Sequence, residues 1–215
     1  YTAGLLRPDN GESAAISSFS VPADTLTVFV GAHDLGGSTL GWAGPGSYST
    51  SSRADPAWVT TVVTRGQGSI ADVNGPAATE FARWGGMLAI DIDTNWNFDP
   101  TRNPSTSQID LLTVMVHEMA HVLGFGLADS WDNLVNAESQ FTGAASVAEY
   151  GGYAPIQPDG GHWASGTMSQ VYADGTSQVA SMTPSVTLGA RRWFTDLDVA
   201  CLDDFGWDIN PVHAW

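Results

Sequence analysis

The run from Leu111 to Leu123 sets Leu111, Leu112, Val114, Met115, Val116, Met119, Val122 and Leu123 so close together that a helix made from it is apolar nearly all round. A helix of that kind is buried, so the rest of the chain has to be built about it. Its few polar residues are therefore the informative ones. His117 and His121 are four apart, so their imidazoles leave one face in the same direction. Glu118 sits about a quarter-turn round. Three such groups in a protein interior cost several kcal/mol unless something satisfies them, and a divalent metal with its bound water does so. With only 5 histidines in the chain, the spacing His-Glu-x-x-His arises by chance on the order of 0.003 times per sequence of this composition, so coincidence is a weak rival. The pair is a two-nitrogen claw for zinc, and Glu118 lies within reach of a water on that metal, the place of a general base. Ser107 and Asp110 form a capping-box-like start and Gly124 can take the left-handed stop, which predicts a helix over 108–123 that turns away directly after His121.

A length of 215 residues suits one domain with a real core. The formal net charge is −16, every basic residue is Arg and Lys is absent, a field that repels nucleic acid and anionic membrane surfaces. So many carboxylates suit a calcium-rich or saline exterior. There is no run of apolar residues long enough to span a bilayer, which excludes membrane insertion. Cys201 is alone, so the framework rests on packing and metals and not on a disulfide. The chain opens on Tyr1 without a charged-then-apolar leader, as a processed product would.

Residues 1–20 read as an irregular lead-in, Leu26 to Val30 as a strand, and Gly31 to Ser52 as loop and tight turns. Trp58 to Thr64 is rich in β-branched residues and reads as a second strand, with Ala77 to Arg83 a short helix or turn. Met87 to Asp93 is a strand with Leu88, Ile90 and Ile92 on one face, placed to form the rim of a cleft and to pair with an extended substrate. It runs into Asp91, Asp93, Asn95, Asn97 and Asp99, oxygen-bearing side chains at every second position that resemble the start of a calcium loop, although Trp96 stands where an EF-hand needs Gly. Downstream, a helical turn at Ser146 to Tyr150, a tight turn at Ser181-Met182-Thr183-Pro184 and a helix over 195–205, boxed by Thr195 and Asp198 and closed by Gly206, complete an α+β pattern.

A third metal ligand is needed. His162, in Asp159-Gly160-Gly161-His162-Trp163, competes with the carboxylates of Asp129, Glu138 and Glu149, while His33 and His213 lack metal-like neighbours. With zinc held, the chain is either a peptidase acting on a peptide or protein substrate or a zinc-bearing but proteolytically idle surface or adhesion module. The second reading stays open because no residue is identifiable opposite Glu118 to hold an oxyanion.

The ordered set His-Glu-Met-Ala-His-Val-Leu-Gly-Phe, then a long insertion, Gly-Gly-His162-Trp, Ser181-Met182-Thr-Pro, and a final helix ending Asp203-Asp204-Phe-Gly-Trp207, resembles the leishmanolysin-like branch of the metzincin zinc peptidases over about residues 85 to 209. The resemblance implies a two-lobed domain with a twisted sheet and the zinc helix in about 1–126 and a loop-rich lobe in about 127–215. A cleft between the lobes would cut peptide bonds in a secreted, monomeric enzyme. It gives the third ligand to His162, because Leu127 occupies the position of the compact metzincin pattern. It also makes Met182, rather than Met168, the methionine of the turn beneath the zinc. With one cysteine the chain lacks the disulfides of leishmanolysins proper and looks more like a bacterial secreted relative.

Overall fold

In the computed structural model, which describes residues 1–22 and 24–209, five strands precede the first helix. Strand β1 (Thr2–Leu6) pairs antiparallel with β2 (Ser13–Ile16) on one side and β5 (Ser47–Ser49) on the other. A second sheet holds β3 (Thr27–His33), β4 (Gly41–Pro45) and a later strand, β6 (Gly85–Asp91), in the order β3-β6-β4. Its central strand β6 runs parallel to β3 and antiparallel to β4, so Leu88 faces Val30 on one side and Ala43 on the other. Both edges of β6 are thus taken, and the edge strands of this sheet are β3 and β4. The rim expected from Met87–Asp93 falls to β4 instead, and Ile92, expected on the same face as Leu88 and Ile90, lies past the end of β6 and is exposed.

Strands β1, β2, β4 and β5 lie where the sequence suggested irregular chain. Close neighbours hold some residues in and beside these strands to glycine. A side chain at Gly86 would strike the Gly44 carbonyl, and one at Gly46 would enter the Trp84 ring. The reverse correction holds for 58–64, which is helix α1 (Pro56–Thr64) and not a strand. Asp55 accepts from the amides of Ala57 and Trp58, Pro56 stands in the first turn, and Arg65 closes the helix in the left-handed conformation. β-branched residues lose only a few tenths of a kcal/mol each in a helix, less than a good cap supplies. Helix α2 (Ile70–Val73) follows, and 77–83 has no regular structure beyond a turn at its start.

The paired short strands β7 (Trp96–Asn97) and β8 (Ile109–Asp110) lead into helix α3 (Leu111–Val122), of which no residue is exposed. The cap is Asp110 and not Ser107. Its carboxylate takes the amide and hydroxyl of Thr113 at 3.1 and 2.9 Å, while Ser107 shares a bond with Ser105. Burial pushes the Asp110 carboxyl up, but Arg191, Asn97 and Thr113 outweigh it and hold the group below the usual carboxylate range. Gly124, at φ 104°, ends the helix as its sequence position suggests. One side of α3 packs through Val122 on Ala43 and Leu88 of the sheet.

The other side is covered by the remaining elements: α4 (Asp129–Asp132), β9 (Gln140–Phe141), α5 (Ala144–Tyr150), β10 (Ala154–Pro155), β11 (Met168–Gln170), β12 (Ser177–Val179) and α6 (Asp196–Asp204). They enclose an aromatic core in which Phe125, Trp131, Phe141, Trp163 and Phe205 are fully buried, with ring centroids 4.3 Å apart for Phe125 and Trp131 and 4.6 Å for Trp131 and Phe141. Asp204 accepts the amides of Ala145 and Ser146, which fixes the start of α5 against the end of α6. The capping box of Thr195 and Asp198 forms as read. Helices with open sheets make this an α+β chain, and none of the helices is long and apolar enough to cross a membrane among the described residues. His213 lies outside the described residues.

Candidate metal centre

Helix α3 presents His117 and His121, and the loop between β10 and β11 brings His162 to them. That loop is pinned on both sides of the histidine. Its carbonyl receives the Gln157 amide, while Trp163 is fully buried and donates its own amide to the Met182 carbonyl at 2.9 Å. Gly161 lies flat against Gly126, where any Cβ would collide with the Gly161 backbone. As a result the ligand nitrogens of His117, His121 and His162 all lie within 4.8 Å of one another, and Nε2 of His121 is 3.2 Å from Nε2 of His162.

The proton positions follow from the partners. Nδ1 of His117 meets the Ser181 carbonyl at 2.8 Å, and Nδ1 of His121 meets the Phe125 carbonyl at 2.9 Å. A carbonyl only accepts, so each Nδ1 carries the hydrogen. Nδ1 of His162 meets Oδ2 of Asp159 at 2.9 Å and donates in the same way. Burial, then the nearby His121, lowers the His117 pKa to about 3, and burial lowers that of His121 to about 4, so both rings are neutral near pH 7. Neutral rings with protonated Nδ1 have bare Nε2 atoms. Nε2 of His121 stands 3.2 Å from Nε2 of His162, a separation that a shared cation would bridge.

These residues fit a metal ion. Ligands about 2.0–2.1 Å from a tetrahedral zinc stand about 3.3 Å apart, close to the separation seen here for His121 and His162. A Nδ1 bond to carbonyl or carboxylate is also how metal-binding histidines are oriented. The group can hold a metal ion, and neutral imidazole donors suit a borderline ion such as zinc.

Glu118 faces a cavity of about 670 Å³ walled by Gly41 and Trp42 of β4 on one side and by Thr183 to Val186 on the other. Its carboxyl is buried and has no hydrogen-bond partner among the described residues; burial raises its pKa to about 8. A cation at the three histidines opposes that rise. Met182 is fully buried in a turn whose preceding residue, Ser181, holds His117, whereas Met168 is exposed on β11. Met182→Leu is expected to shift stability by about 1.5 kcal/mol or less with metal content unchanged, the outcome for a methionine that packs and does not ligate.

The competing carboxylates stand elsewhere. Asp129 accepts from the Gly75 amide, Glu138 and Glu149 are exposed and outside the histidine group, and Leu127 borders the cavity. His33 donates from Nδ1 to the Pro8 carbonyl at 3.0 Å, as a satisfied histidine does. Of the five alternating residues read as a calcium loop, Asp91 and Asp93 meet with Asp34 in a group that could hold a metal ion, where Asp91 already accepts from the amides of Leu35 and Asp93 and the hydroxyl of Thr94. The other three make hydrogen bonds elsewhere. Asn95 donates to the Ser107 carbonyl, and Asn97 donates to Asp99, Arg102 and Asp110. Asp99 accepts from Thr101. The carbonyls of Asp99, Pro100 and Arg102 turn instead to the guanidinium of Arg191, which also grips both oxygens of Asp110 at 2.9 and 2.8 Å. A side-chain cation fills the oxygen-rich turn.

Sequence reasoning passed over two supporting residues. Asp159, three before His162, orients that ring and has the signal of an Asx turn, since its Oδ1 also takes the Gly161 amide. Asp159→Asn is expected to weaken metal binding by about 10–100-fold in a chelator competition, the usual loss for a carboxylate behind a ligating histidine. Asp198 was legible as a helix cap only, yet its two oxygens take five donors: Trp163 Nε1, the amides of Ser181, Met182 and Thr195, and the Thr195 hydroxyl. Comparison of the chain with known protein families, with curated proteins and with solved structures finds no match.

Proposed function

We propose that this chain is a zinc-dependent endopeptidase of the leishmanolysin-like metzincin type, with His117, His121 and His162 holding the metal and Glu118 as general base. One observation carries the reading: three histidines, each held through Nδ1, bring their ligand nitrogens together beside a carboxyl that has no hydrogen-bond partner among the described residues and that lines an open cavity. When bound, the metal supplies Lewis acidity and lowers the pKa of a coordinated water toward about 7. Glu118 takes the proton of the attacking water and passes it to the departing amine; no covalent acyl-enzyme forms. Strand β4 offers a free main-chain edge beside Glu118 along which an extended peptide can lie. In this reading residues 1–126 and 127–215 are the two lobes flanking the cleft, Met182 packs beneath the metal, and the enzyme is a secreted monomer whose acidic surface keeps it soluble.

The idle-module reading draws on one feature of the cavity. Of the residues that line it, none is a Tyr or Arg opposite Glu118 that would hold an oxyanion. The test is metal analysis of the purified protein combined with digestion of a denatured protein substrate. Zinc near one equivalent, with cleavage abolished by a chelator and restored by zinc, supports the peptidase. Zinc retained with no cleavage under any condition overturns it in favour of the module.

A further inference from the structure

We propose that Gly41 is a positioning residue for Glu118, the missing side chain at this point of β4 being what leaves room for the general base; the catalytic part of this inference rests on the function proposed above. A Cβ built on Gly41 would stand 2.5 Å from Glu118 Oε1, 2.7 Å from its Cγ and 2.8 Å from its Cδ. Gly41 is not among the positive-φ glycines, so its backbone suits any residue and only the space is restrictive. The same strand supplies its own control. Two residues on, and so on the same face of β4, Ala43 packs its methyl against Val122 and Leu88 without conflict. The methyl that closes the core at position 43 would land in the carboxyl at position 41.

Glu118 has no hydrogen bond among the described residues, so it is this packing that sets where its carboxyl rests between the helix and the strand. A methyl at 41 drives the carboxyl toward the cavity or along the strand, while the three histidines, held through Ser181, Phe125 and Asp159, keep their places. A misplacement of about 1 Å in a reacting group is enough to cost on the order of a hundredfold in rate.

Gly41→Ala, Glu118→Ala and the double variant are compared with wild type for zinc content, for kcat and KM on a fluorogenic peptide that wild type cleaves, and for the denaturation midpoint of the metal-free proteins. The expected result is full zinc content and a kcat at least about tenfold lower in Gly41→Ala, with KM within about twofold. In the Glu118→Ala background the same change moves the residual rate by less than about twofold. The midpoint is expected to fall for Gly41→Ala in wild type and to fall much less, or not at all, in Glu118→Ala, because the atoms struck by the methyl are gone. Unchanged kcat, lost zinc, or an equal loss in both backgrounds overturns the proposal. If wild type cleaves nothing, the proposed function fails, and the midpoint coupling still decides whether Gly41 seats Glu118.

Discussion

Glu118→Ala is expected to leave a folded protein that takes up zinc at its three histidines and hydrolyses substrate at least about a hundredfold more slowly. The carboxyl is placed to do nothing structural. It is buried, takes no hydrogen bond, and is pushed up in pKa by desolvation alone. A group in that condition costs stability in the metal-free protein, so its removal is expected to hold or raise the denaturation midpoint while activity collapses. Steady-state kinetics, zinc analysis and a denaturation curve on the one variant measure all three effects. Near-native turnover would remove Glu118 from the mechanism, and a large fall in stability would give it a packing role instead.

Asp198→Ala is expected to cost about 3–5 kcal/mol and to weaken zinc binding together with stability. The substitution strands the Trp163 indole N–H and the amides of Ser181 and Met182 in a region without solvent. Each buried donor left unmet costs about 1–3 kcal/mol. Burial holds the Asp198 carboxyl above the usual carboxylate range, and the bonds from Thr195, Ser181 and Trp163 offset only part of that rise. Through those bonds one side chain ties the base of α6 to the turn that holds His117 and to the residue after His162. Denaturation in the presence and absence of zinc measures both effects. A variant that loses stability but binds zinc with native affinity would show that the turn keeps its shape without Asp198.

Elements whose signal is local were legible in the sequence. Helix α3 announces itself by unbroken apolar character, and α6 by a cap at each end, because these features act within a turn or two of chain. Strand β4 was not legible, because what makes Gly41 within it and Gly46 just after it necessary is contact with Glu118 and Trp84, both distant in sequence. The run Trp58–Thr64 misled in the opposite sense, since its β-branched residues argue for a strand while Asp55 and Pro56 just before it start a helix. The histidines of the metal centre could be chosen from spacing and the order of motifs. Their partners could not, because two are backbone carbonyls, and a carbonyl has no letter of its own in a sequence. The turn at 99–102 shows the same limit, since the cation that its carbonyls meet is Arg191, about ninety residues away along the chain.

The uneven anchoring of the three histidines bears on how such a centre can drift as the sequence changes. His117 and His121 lean on main-chain oxygens that every amino acid carries, so substitution at Ser181 or Phe125 leaves those acceptors chemically the same. His162 leans on a side chain, and that side chain is half exposed on a glycine-flanked loop where replacements are easily accommodated. The grip of the centre on its ion is therefore adjustable at one position, 159, by single substitutions that leave the other two anchors untouched: a tuning screw on the rim of an otherwise fixed socket.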